Sequence, residues 1–493
     1  MNAEATKINS PITRIIICGG GLAAHMTAAM LSRNLPASIQ ITWVKFSQAP
    51  DDDSFLGNVA PPATYGFNLL AGVSEPLLLL NTSTAFSWGT QIERWGIAQR
   101  SWVQGFQLPL PILGGVLFHH YLARLKVENL QPFLVSAMAA RSGVFAHPNA
   151  SRDPVLARGE YGYQFDSDSY SQPFAAVAAA NRVIVVPANI SSIDKAENVI
   201  TAVHTTDGQA LSADLYVDCT GSPAQLLSTL GSTNQGTKYV RVLTSLQPAS
   251  DIGTACRTLT AHSFGWQSDT PLQGRTMRVT VCAKESESEA LVAHGPAPQR
   301  SFDVMLGSRP NAWLGNCVAI GQAAAVIEPL THAPMLLLQR QIERLSSLIP
   351  CSTDMSVESR EFNRQTNEDN THADLFNRAM FETQLDTDAP YWRAAREQPM
   401  HDKLAQKITQ FESRGLLVAF DLEPFNPEDW IILHNGMGRR PERYDRVADR
   451  AGESQVRDYL ADMRRHIEML VKGMPTHKDY MAGIVRYLKQ QGH

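Results

Sequence analysis

Short apolar runs followed by glycine open the chain and predict an α/β fold. Arg14–Cys18 is apolar after its first residue and leads into three glycines, which is typical of a strand buried on both faces. Leu22–Arg33 has the apolar spacing of a helix, and Ile39–Val44 has the pattern of a second strand. Together these segments predict a βαβ unit over residues 14–45.

The pattern changes twice further along the chain. Residues 51–115 are rich in Asp, Pro and Gly, and a stretch of this length is expected to wrap something functional rather than to connect two elements. Residues 238–320 alternate between apolar and polar side chains, which predicts a second, antiparallel sheet. From Met335 on the chain is predicted to be mainly helical, with helices at 335–348, 367–381, 389–414 and 453–471.

Composition narrows the class of protein. A chain of 493 residues exceeds the size at which one core stops growing, so two closely packed lobes or one elaborated domain are expected. Acidic residues outnumber basic ones by 48 to 43, so no basic excess indicates nucleic acid or anionic lipid as a partner. No apolar run is long enough for a membrane span, and the first residues lack a signal-peptide pattern. The six cysteines form no CxxC pair, which favours free thiols in the cytoplasm and no metal site.

The motif Gly19-x-Gly21 lies between the first strand and the first helix. The first glycine permits a tight turn, the second lets backbone approach a pyrophosphate, and the helix N-terminus supplies free N–H groups. Ala24 takes the third position of the fingerprint, where a small residue is tolerated. The motif predicts a dinucleotide site that includes Leu22 and Ala23; the alternative is a glycine turn without a nucleotide.

The end of the second predicted strand departs from this pattern. An Asp or Glu is expected there to accept the ribose hydroxyls, but the chain has Lys45. The favoured interpretation is a solvated lysine with the ribose held otherwise; the alternative is a site that prefers extra negative charge. Residues 51–53, three aspartates, could replace the missing carboxylate, but such a run of charge is typical of a solvated loop.

Two later segments favour FAD over NAD. Ala213–Gly221 resembles the strand-and-glycine segment of two-domain flavoproteins, and Asn316–Gln322 resembles their last flavin strand, in which Gln322 replaces the usual Asp. The predicted fold is therefore an α/β, FAD-binding two-domain flavoprotein with a Rossmann-like βαβ unit, an antiparallel sheet and a mainly helical C-terminal part. The expected division is 1–334 for the FAD-binding module and 335–493 for the helical region. The predicted FAD contacts are Gly19, Gly21, Leu22, Ala23, Ala24, Gly57, Gly221, Gly321 and Met335.

Segments spread over the chain match the motifs of one family. They are the glycine-rich opening with His25, Ala85–Trp95, Phe264–Pro271, Glu328–Leu330 and, in the C-terminal half, Asp388–Trp392, Trp430, Gly436–Gly438 and Met474–His477. Through them the chain resembles the flavin-dependent tryptophan halogenases nearly from end to end. The resemblance implies that Ala85–Trp95 is the helix of the halogenation centre, that Phe264–Pro271 stands in place of WxWxIP, and that Glu328–Leu330 is the turn beside the flavin. It also implies a flavin module under a helical pyramid, reduced FAD from a separate flavin reductase, dioxygen, a small aromatic substrate, and hypohalous acid that travels through a tunnel to a lysine.

The departures from the family pattern fall on the chemistry. Ser87 matches the tunnel lysine, and Thr331 matches the carboxylate that partners it. The groups that hold halide fall at Ala333, which has no hydroxyl, and at Pro334, which has no N–H to donate. The WxWxIP counterpart keeps its first tryptophan, Trp266, and loses the second. These changes argue against standard halogenation.

Three functional hypotheses follow. The favoured one is an FAD-dependent monooxygenase or oxidoreductase that acts on an unknown aromatic substrate; the others are a halogenase of an indole or phenol with a rearranged site, and a non-catalytic nucleotide- or partner-binding descendant. His332 could be an acid or base or a hydrogen-bonded wall residue, and Glu328 could contact substrate or flavin or be structural. The protein is expected to be a monomer or homodimer. The predicted substrate-pocket residues are Ser87, Trp266, Pro329 and Thr331.

Two features are left open by the sequence. Trp88, Trp95 and Trp102 recur every seven residues, which would place them on one helical face, more often core than substrate cage. A lysine aimed into the inner passage would favour halogenation, but the sequence places neither Lys126 nor Lys238.

Overall fold

A computed structural model describes residues 10–96, 98–148, 153–381 and 389–492. Asp388, in the predicted motif Asp388–Trp392, lies outside these residues. No helix in the described ranges combines the length and the apolar character that crossing a bilayer requires.

The described strands are mostly short. In chain order they are β1 (Arg14–Cys18), β2 (Gln40–Val44), β3 (Val59–Ala60), β4 (Ala85–Ser87), β5 (Gly89–Trp95), β6 (Arg100–Gly105), β7 (Ile112–Leu113), β8 (Val116–Leu117), β9 (Gly162–Gln164), β10 (Ile184–Val186), β11 (Ile190–Ala196), β12 (Val199–Thr205), β13 (Ala210–Leu211), β14 (Leu215–Asp218), β15 (Lys238–Pro248), β16 (Arg257–His262), β17 (Gly265–Leu272), β18 (Arg275–Cys282), β19 (Arg300–Ser308), β20 (Trp313–Leu314), β21 (Cys317–Ala319) and β22 (Ala325–Val326).

The two longest of the described α-helices, α10 and α14, lie in the C-terminal part of the chain. In chain order they are α1 (Leu22–Asn34), α2 (Thr64–Leu70), α3 (Glu75–Asn81), α4 (Phe118–Arg124), α5 (Val135–Ser142), α6 (Ser167–Ala180), α7 (Gln225–Thr229), α8 (Glu287–His294), α9 (Ala333–Ser347), α10 (Ser356–Arg378), α11 (Pro390–Arg396), α12 (Asp402–Arg414), α13 (Pro427–Gly436), α14 (Glu453–Gly473) and α15 (His477–Gln490).

A six-stranded sheet in the order β10-β2-β1-β14-β21-β20 contains the predicted βαβ unit. β1 pairs in parallel with β2 on one side and β14 on the other, and its apolar residues are buried as a central parallel strand requires. Helix α1 crosses between β1 and β2 and packs between α6 and α9. Because β1, β14 and β21 are parallel neighbours, the turns that follow them meet at one edge of the sheet.

The second sheet has eight strands in the order β22-β19-β15-β18-β17-β16-β5-β6 and confirms the sheet predicted over residues 238–320. The prediction of a helix over Ala85–Trp95 is wrong, because β4 and β5 lie there. β5 carries Thr90 and Ile92, whose branched side chains favour a strand. It pairs with both β6 and β16.

The three tryptophans spaced by seven therefore lie on strands or beside them, not on one helical face. Trp95 is in β5, Trp102 is in β6, and Trp88 joins β4 to β5. All three are fully buried in the hydrophobic core, which agrees with their interpretation as core residues rather than as a substrate cage. A spacing of seven has no significance on strands, where side chains alternate with a period of two.

From Ala333 on, the described elements are helices, which agrees with the predicted helical C-terminal part. The helix predicted over 389–414 is interrupted between α11 and α12, where Pro399 disfavours helical backbone in the residue before it. The division of the chain at residue 334 remains a prediction.

Candidate functional site

The turn after β1 has the backbone geometry that the glycine motif predicts. Gly19 has φ +145°, and a Cβ there would lie 2.2 Å from the carbonyl oxygen of Cys219, so the turn excludes a side chain. Trp43 Nε1 donates to Gly19 O at 2.9 Å and fixes the turn against β2. Gly21 precedes α1, whose first turn of Leu22, Ala23 and Ala24 is buried.

The glycines after β14 and β21 lie at the same edge. Gly221 has φ +82° and Gly321 has φ +69°, both left-handed conformations that favour glycine. A Cβ on Gly321 would lie 3.0 Å from Cβ of Ala23 in α1. The structure therefore brings together the glycines predicted to hold a dinucleotide, whose role as FAD contacts remains a proposal.

The segment Pro50–Leu56, here called the docked segment, covers this edge. Asp51–Phe55 form a 3₁₀ helix, and the exposed fractions of Asp52 and Asp53 are only 4% and 3%. The interpretation of the three aspartates as a solvated loop is therefore wrong for Asp52 and Asp53, although Asp51 is exposed. These two carboxylates can be buried because backbone N–H groups are free to bind them at the sheet edge.

The two buried carboxylates bind two different turns. Leu22 N, at the start of α1, donates to Asp53 Oδ1 at 2.9 Å and to Oδ2 at 3.2 Å. Ser222 N, in the turn after β14, donates to Asp52 Oδ2 at 2.6 Å. The Gln322 side chain, which stands where flavoproteins commonly have Asp, donates to Asp52 O.

Burial raises the pKa of both carboxyl groups. The pKa of Asp53 is raised from 3.8 to about 7, mainly by desolvation and against the hydrogen bond from Leu22 N. Its other charged neighbours are Asp52, Asp168 and Arg300. The pKa of Asp52 is also raised by desolvation, and Asp52 Oδ1 is buried without a hydrogen-bond partner.

The residues at this edge do not fit the diphosphate of FAD in this conformation. A Cβ on Gly21 would lie 2.6 Å from Asp53 Oδ1, and one on Gly221 would lie 2.7 Å from both Asp52 Oδ1 and Cβ of Pro50. The Leu22 N–H that would face a phosphate is already bonded. Beside Gly321 only a cavity of about 10 Å³ remains, room for about one water molecule.

Arg257 ties the end of this region to the turn that follows β22. The side chain is fully buried and donates to Gly57 O at 2.6 Å, Pro329 O at 2.9 Å and Leu330 O at 2.7 Å. Burial lowers its pKa from 12.5 to about 9. Gly57, a predicted FAD contact, lies against Pro329 here: a Cβ on it would be 3.1 Å from that of Pro329.

Glu328, at the start of the same turn, is the centre of a buried polar cluster. Trp266 Nε1 donates to Glu328 Oε1 at 2.9 Å, and the Tyr391 hydroxyl donates to the same oxygen. Lys238 Nζ lies 3.3 Å from Glu328 Oε2 and 4.1 Å from the centre of the Tyr391 ring. Asn377 Nδ2 donates to Glu328 O at 2.7 Å.

This cluster forms one wall of a cavity of about 480 Å³, a size typical of small-molecule sites. Lys238, Glu328 and Phe381 line it together with the polar residues Asp374 and Asn377. Lys126, the other lysine that the sequence left open, lines a separate cavity of about 260 Å³.

A tryptophan halogenase family profile matches residues 14–453. The chain belongs to the tryptophan halogenase family. Tryptophan 7-halogenase KtzQ from Kutzneria sp. (strain 744) is 25% identical over 95% of this chain and 98% of its own. Tryptophan 7-halogenase RebH from Lentzea aerocolonigenes is 25% identical over 82% and 83%. The structure of BrvH, a flavin-dependent halogenase from Brevundimonas sp. BAL3, superposes with a TM-score of 0.87 at 27% identity and covers 96% of this chain and 99% of that one.

These comparisons confirm the family, the flavin-dependent halogenase fold and the class of FAD-dependent, halogenase-like oxidoreductase predicted from the motifs. Membership implies FAD as the cofactor of the family. In this conformation the docked segment covers the glycine turns that the sequence predicts as the diphosphate site. The activity and substrate of this chain remain proposals.

The residues that depart from the family pattern make hydrogen bonds or packing contacts with their neighbours in the chain. Ser87 is fully buried; its hydroxyl donates to Gly89 O at 3.2 Å, and it is not among the residues that line the large cavity. Thr331 Oγ1 accepts from Ala333 N at 3.3 Å, at the start of α9. Pro334 has no N–H, and Met335, a predicted FAD contact, is buried in the same helix.

His332 lies between two aromatic rings rather than in the large cavity. Its ring centre is 5.2 Å from that of Phe106 and 5.9 Å from that of Phe425. Desolvation, with a smaller effect from Arg257, lowers the pKa of His332 to about 4, so the ring is neutral at pH 7. A neutral ring has one nitrogen that accepts and one that donates a hydrogen bond.

Sequence reasoning did not pair Glu328 with Lys238 or Tyr391. Lys238 begins a long strand, and nothing in the neighbouring sequence marks it as different from an exposed lysine. Tyr391 follows the proline that starts α11, 63 positions from Glu328 along the chain. Only the fold brings these residues together. The sequence signal for this cluster is that Glu328 and Trp266 are both candidate site residues, and the structure joins them by a hydrogen bond.

Proposed function

We propose that this protein is a flavin-dependent oxidoreductase that transfers oxygen to a small aromatic molecule and does not use halide. The observation that carries the proposal is the start of α9. Ala333 has no hydroxyl and Pro334 has no N–H, so the two groups expected to hold halide are lost together. The N–H of Ala333 is already bonded to Thr331 Oγ1. Reduced FAD would come from a separate flavin reductase in the cytoplasm.

The cavity beside Glu328 is the proposed substrate site. Its wall offers the Phe381 ring for stacking, a lysine ammonium for an anionic group, and the Asp374 and Asn377 side chains for polar groups. The predicted pocket residues Pro329 and Trp266 support this wall from behind by bonds to Arg257 and Glu328. FAD supplies the redox chemistry in this family, and the role of the protein is to bind and orient the substrate.

The test is product formation with and without halide. The purified protein would be incubated with FAD, NADH, a flavin reductase and oxygen, together with indoles and phenols, and products identified by mass spectrometry. Catalase in every reaction removes free peroxide, which would otherwise oxidise the substrates. Oxygenated products that form equally in halide-free buffer support the proposal, whereas products that carry bromine or chlorine contradict it.

The second candidate is a halogenase with a relocated lysine. The observation that favours it is the Lys238–Glu328 pair, since a lysine partnered by a carboxylate is what the resemblance implies for halogenation and Ser87 does not supply it. Here the lysine comes from β15. Its ammonium faces a cavity that could hold an aromatic ring.

A lysine substitution separates the two candidates. Lys238→Met removes the ammonium and keeps most of the side-chain volume, and Lys284→Met is the matched control because that side chain is 75% exposed. The second candidate predicts bromide-dependent products from the wild type and from the Lys284→Met variant but none from Lys238→Met. Absence of halogenated products from all three proteins contradicts it.

The third candidate, a nucleotide- or partner-binding descendant without catalysis, is favoured by the docked segment at the dinucleotide edge. It predicts that the protein binds no flavin in either redox state under the conditions of the product assay. Flavin fluorescence titrations distinguish it from the other two candidates.

A further inference from the structure

The docked segment presents two carboxylates to two turns of the same sheet edge. Asp53 accepts from Leu22 N after β1, and Asp52 accepts from Ser222 N after β14. These strands are direct neighbours in the sheet, so one short segment spans both turns. Pro50 also packs closely against Gly221, where a Cβ would lie 2.7 Å from Cβ of Pro50.

The Leu22 N–H, at the start of the βαβ helix α1, is the kind of group that binds phosphate in a dinucleotide site. Carboxyl and phosphate oxygens both accept hydrogen bonds from backbone N–H groups. We propose that the docked segment is a built-in competitor for the diphosphate of FAD, with the Asp53 carboxylate held where a phosphate oxygen would bind. This inference rests on the proposed flavin-dependent function, because it concerns how that cofactor gains access.

Three features indicate that the segment can leave. Its polar contacts with the edge come from two carboxylates and the Asp52 carbonyl and are not continuous sheet pairing, although burial of Phe55 and Leu56 opposes withdrawal. Asp52 Oδ1 is buried without a partner, a cost that withdrawal relieves. The segment is a single 3₁₀ turn, which has little stability of its own. Ser167 Oγ, which donates to Asp53 O at 2.7 Å, adds one bond from α6 that must break.

The first test measures FAD binding by isothermal titration calorimetry to the full-length protein. Asp53→Ala removes the acceptor from Leu22 N and should bind FAD at least tenfold more tightly than the wild type, equivalent to about 1.4 kcal/mol. Asp51→Ala is the matched control, since it removes one carboxylate from the same run at an exposed position. The FAD affinity of Asp51→Ala should stay within about twofold of the wild type, because removal of one negative charge at an exposed position has little effect on binding.

The second test measures whether the docked segment is bound to the sheet edge in the absence of flavin. Amide hydrogen exchange of the peptides that contain Leu22 and Ser222 should be slow in the wild type and in Asp51→Ala. It should be faster in Asp53→Ala while peptides of β15 keep their protection, which shows that the fold is intact. Addition of FAD to the wild type should make the 50–56 segment exchange faster as it is displaced.

The outcomes separate this inference from the proposed function. Tight and equal FAD binding by the wild type and Asp53→Ala overturns the competitor and leaves the flavin-dependent function standing. Failure of both proteins to bind FAD overturns both proposals. Unchanged exchange at the Leu22 peptide in Asp53→Ala overturns the assignment of Asp53 as the anchor. Tighter binding together with faster exchange supports the inference.

Discussion

Replacement of Glu328 by Gln tests whether this buried carboxylate organises the cavity wall. The carboxylate accepts hydrogen bonds from Trp266 and Tyr391 and faces the Lys238 ammonium at 3.3 Å. The glutamine oxygen has two acceptor lone pairs, so it can keep the bonds from both Trp266 and Tyr391. The NH₂ group then replaces the oxygen that faced Lys238 and leaves the ammonium without a counter-charge.

The size of the effect follows from distance and burial. At 3.3 Å and an effective dielectric constant of about 20, the attraction between the two charges is about 5 kcal/mol before desolvation is subtracted. The side chains are 12% and 7% exposed, so salt screens the pair only weakly. Removal of one partner from such a pair costs about 3 kcal/mol. Lys238→Met should cost less, about 2 kcal/mol, because Trp266 and Tyr391 still hold the carboxylate.

The assay is a double-mutant cycle on urea unfolding at pH 7, followed by circular dichroism. The wild type, Glu328→Gln, Lys238→Met and the double variant should give a coupling energy of about 2 kcal/mol. The control cycle uses Glu453 and Arg457, which are 60% and 56% exposed and should couple little. A Glu328–Lys238 coupling below about 0.5 kcal/mol would refute the reasoning, since that value is typical of solvent-screened pairs.

Three further predictions follow from the same structure. Gly19→Ala should lower the midpoint of urea unfolding because its Cβ would meet backbone atoms. Gly21→Ala, whose Cβ would meet the Asp53 carboxylate, should keep that midpoint and make the 50–56 segment sensitive to limited proteolysis. The pKa of Asp53 is raised in the docked state, so the docked state holds a proton that the undocked state releases. Docking should therefore weaken as the pH rises from about 4 to 7 and then level off. FAD affinity should rise over that pH range in the wild type and rise less in Asp53→Asn. Asp369→Asn should lower the unfolding free energy by about 3 kcal/mol because it leaves the buried Arg344 guanidinium, 2.6 Å away, without its carboxylate, and urea unfolding would measure this.

The elements that sequence reasoning predicted well are those specified by local pattern. The strand Arg14–Cys18, its glycine turn and the helix that follows depend on residues within a short window, and the structure places them as expected. The start of α9 is also local, because Pro334 is suited to the first turn of a helix.

The failures have physical causes. Ala85–Trp95 becomes two strands because its pairing partners, β6, β9 and β16, lie elsewhere in the chain and are invisible to a local pattern. The run of three aspartates indicates a solvated loop because the donors that bind Asp52 and Asp53 belong to turns that are distant in sequence. The Lys238–Glu328 pair spans 90 positions and depends on the same kind of remote contact.

The bonds from Arg257 to Gly57 and from Lys45 N to Val186 O hold the chain firmly on both sides of the docked segment. Between them about a dozen residues can swing out, but they cannot diffuse away. A tethered ligand of this kind has an effective concentration in the millimolar range, which dilution of the protein does not lower. If nine molecules in ten are docked, the apparent dissociation constant for the cofactor is raised about tenfold. Occupancy would then follow the concentration of free flavin over a range about tenfold higher than for a protein without the docked segment.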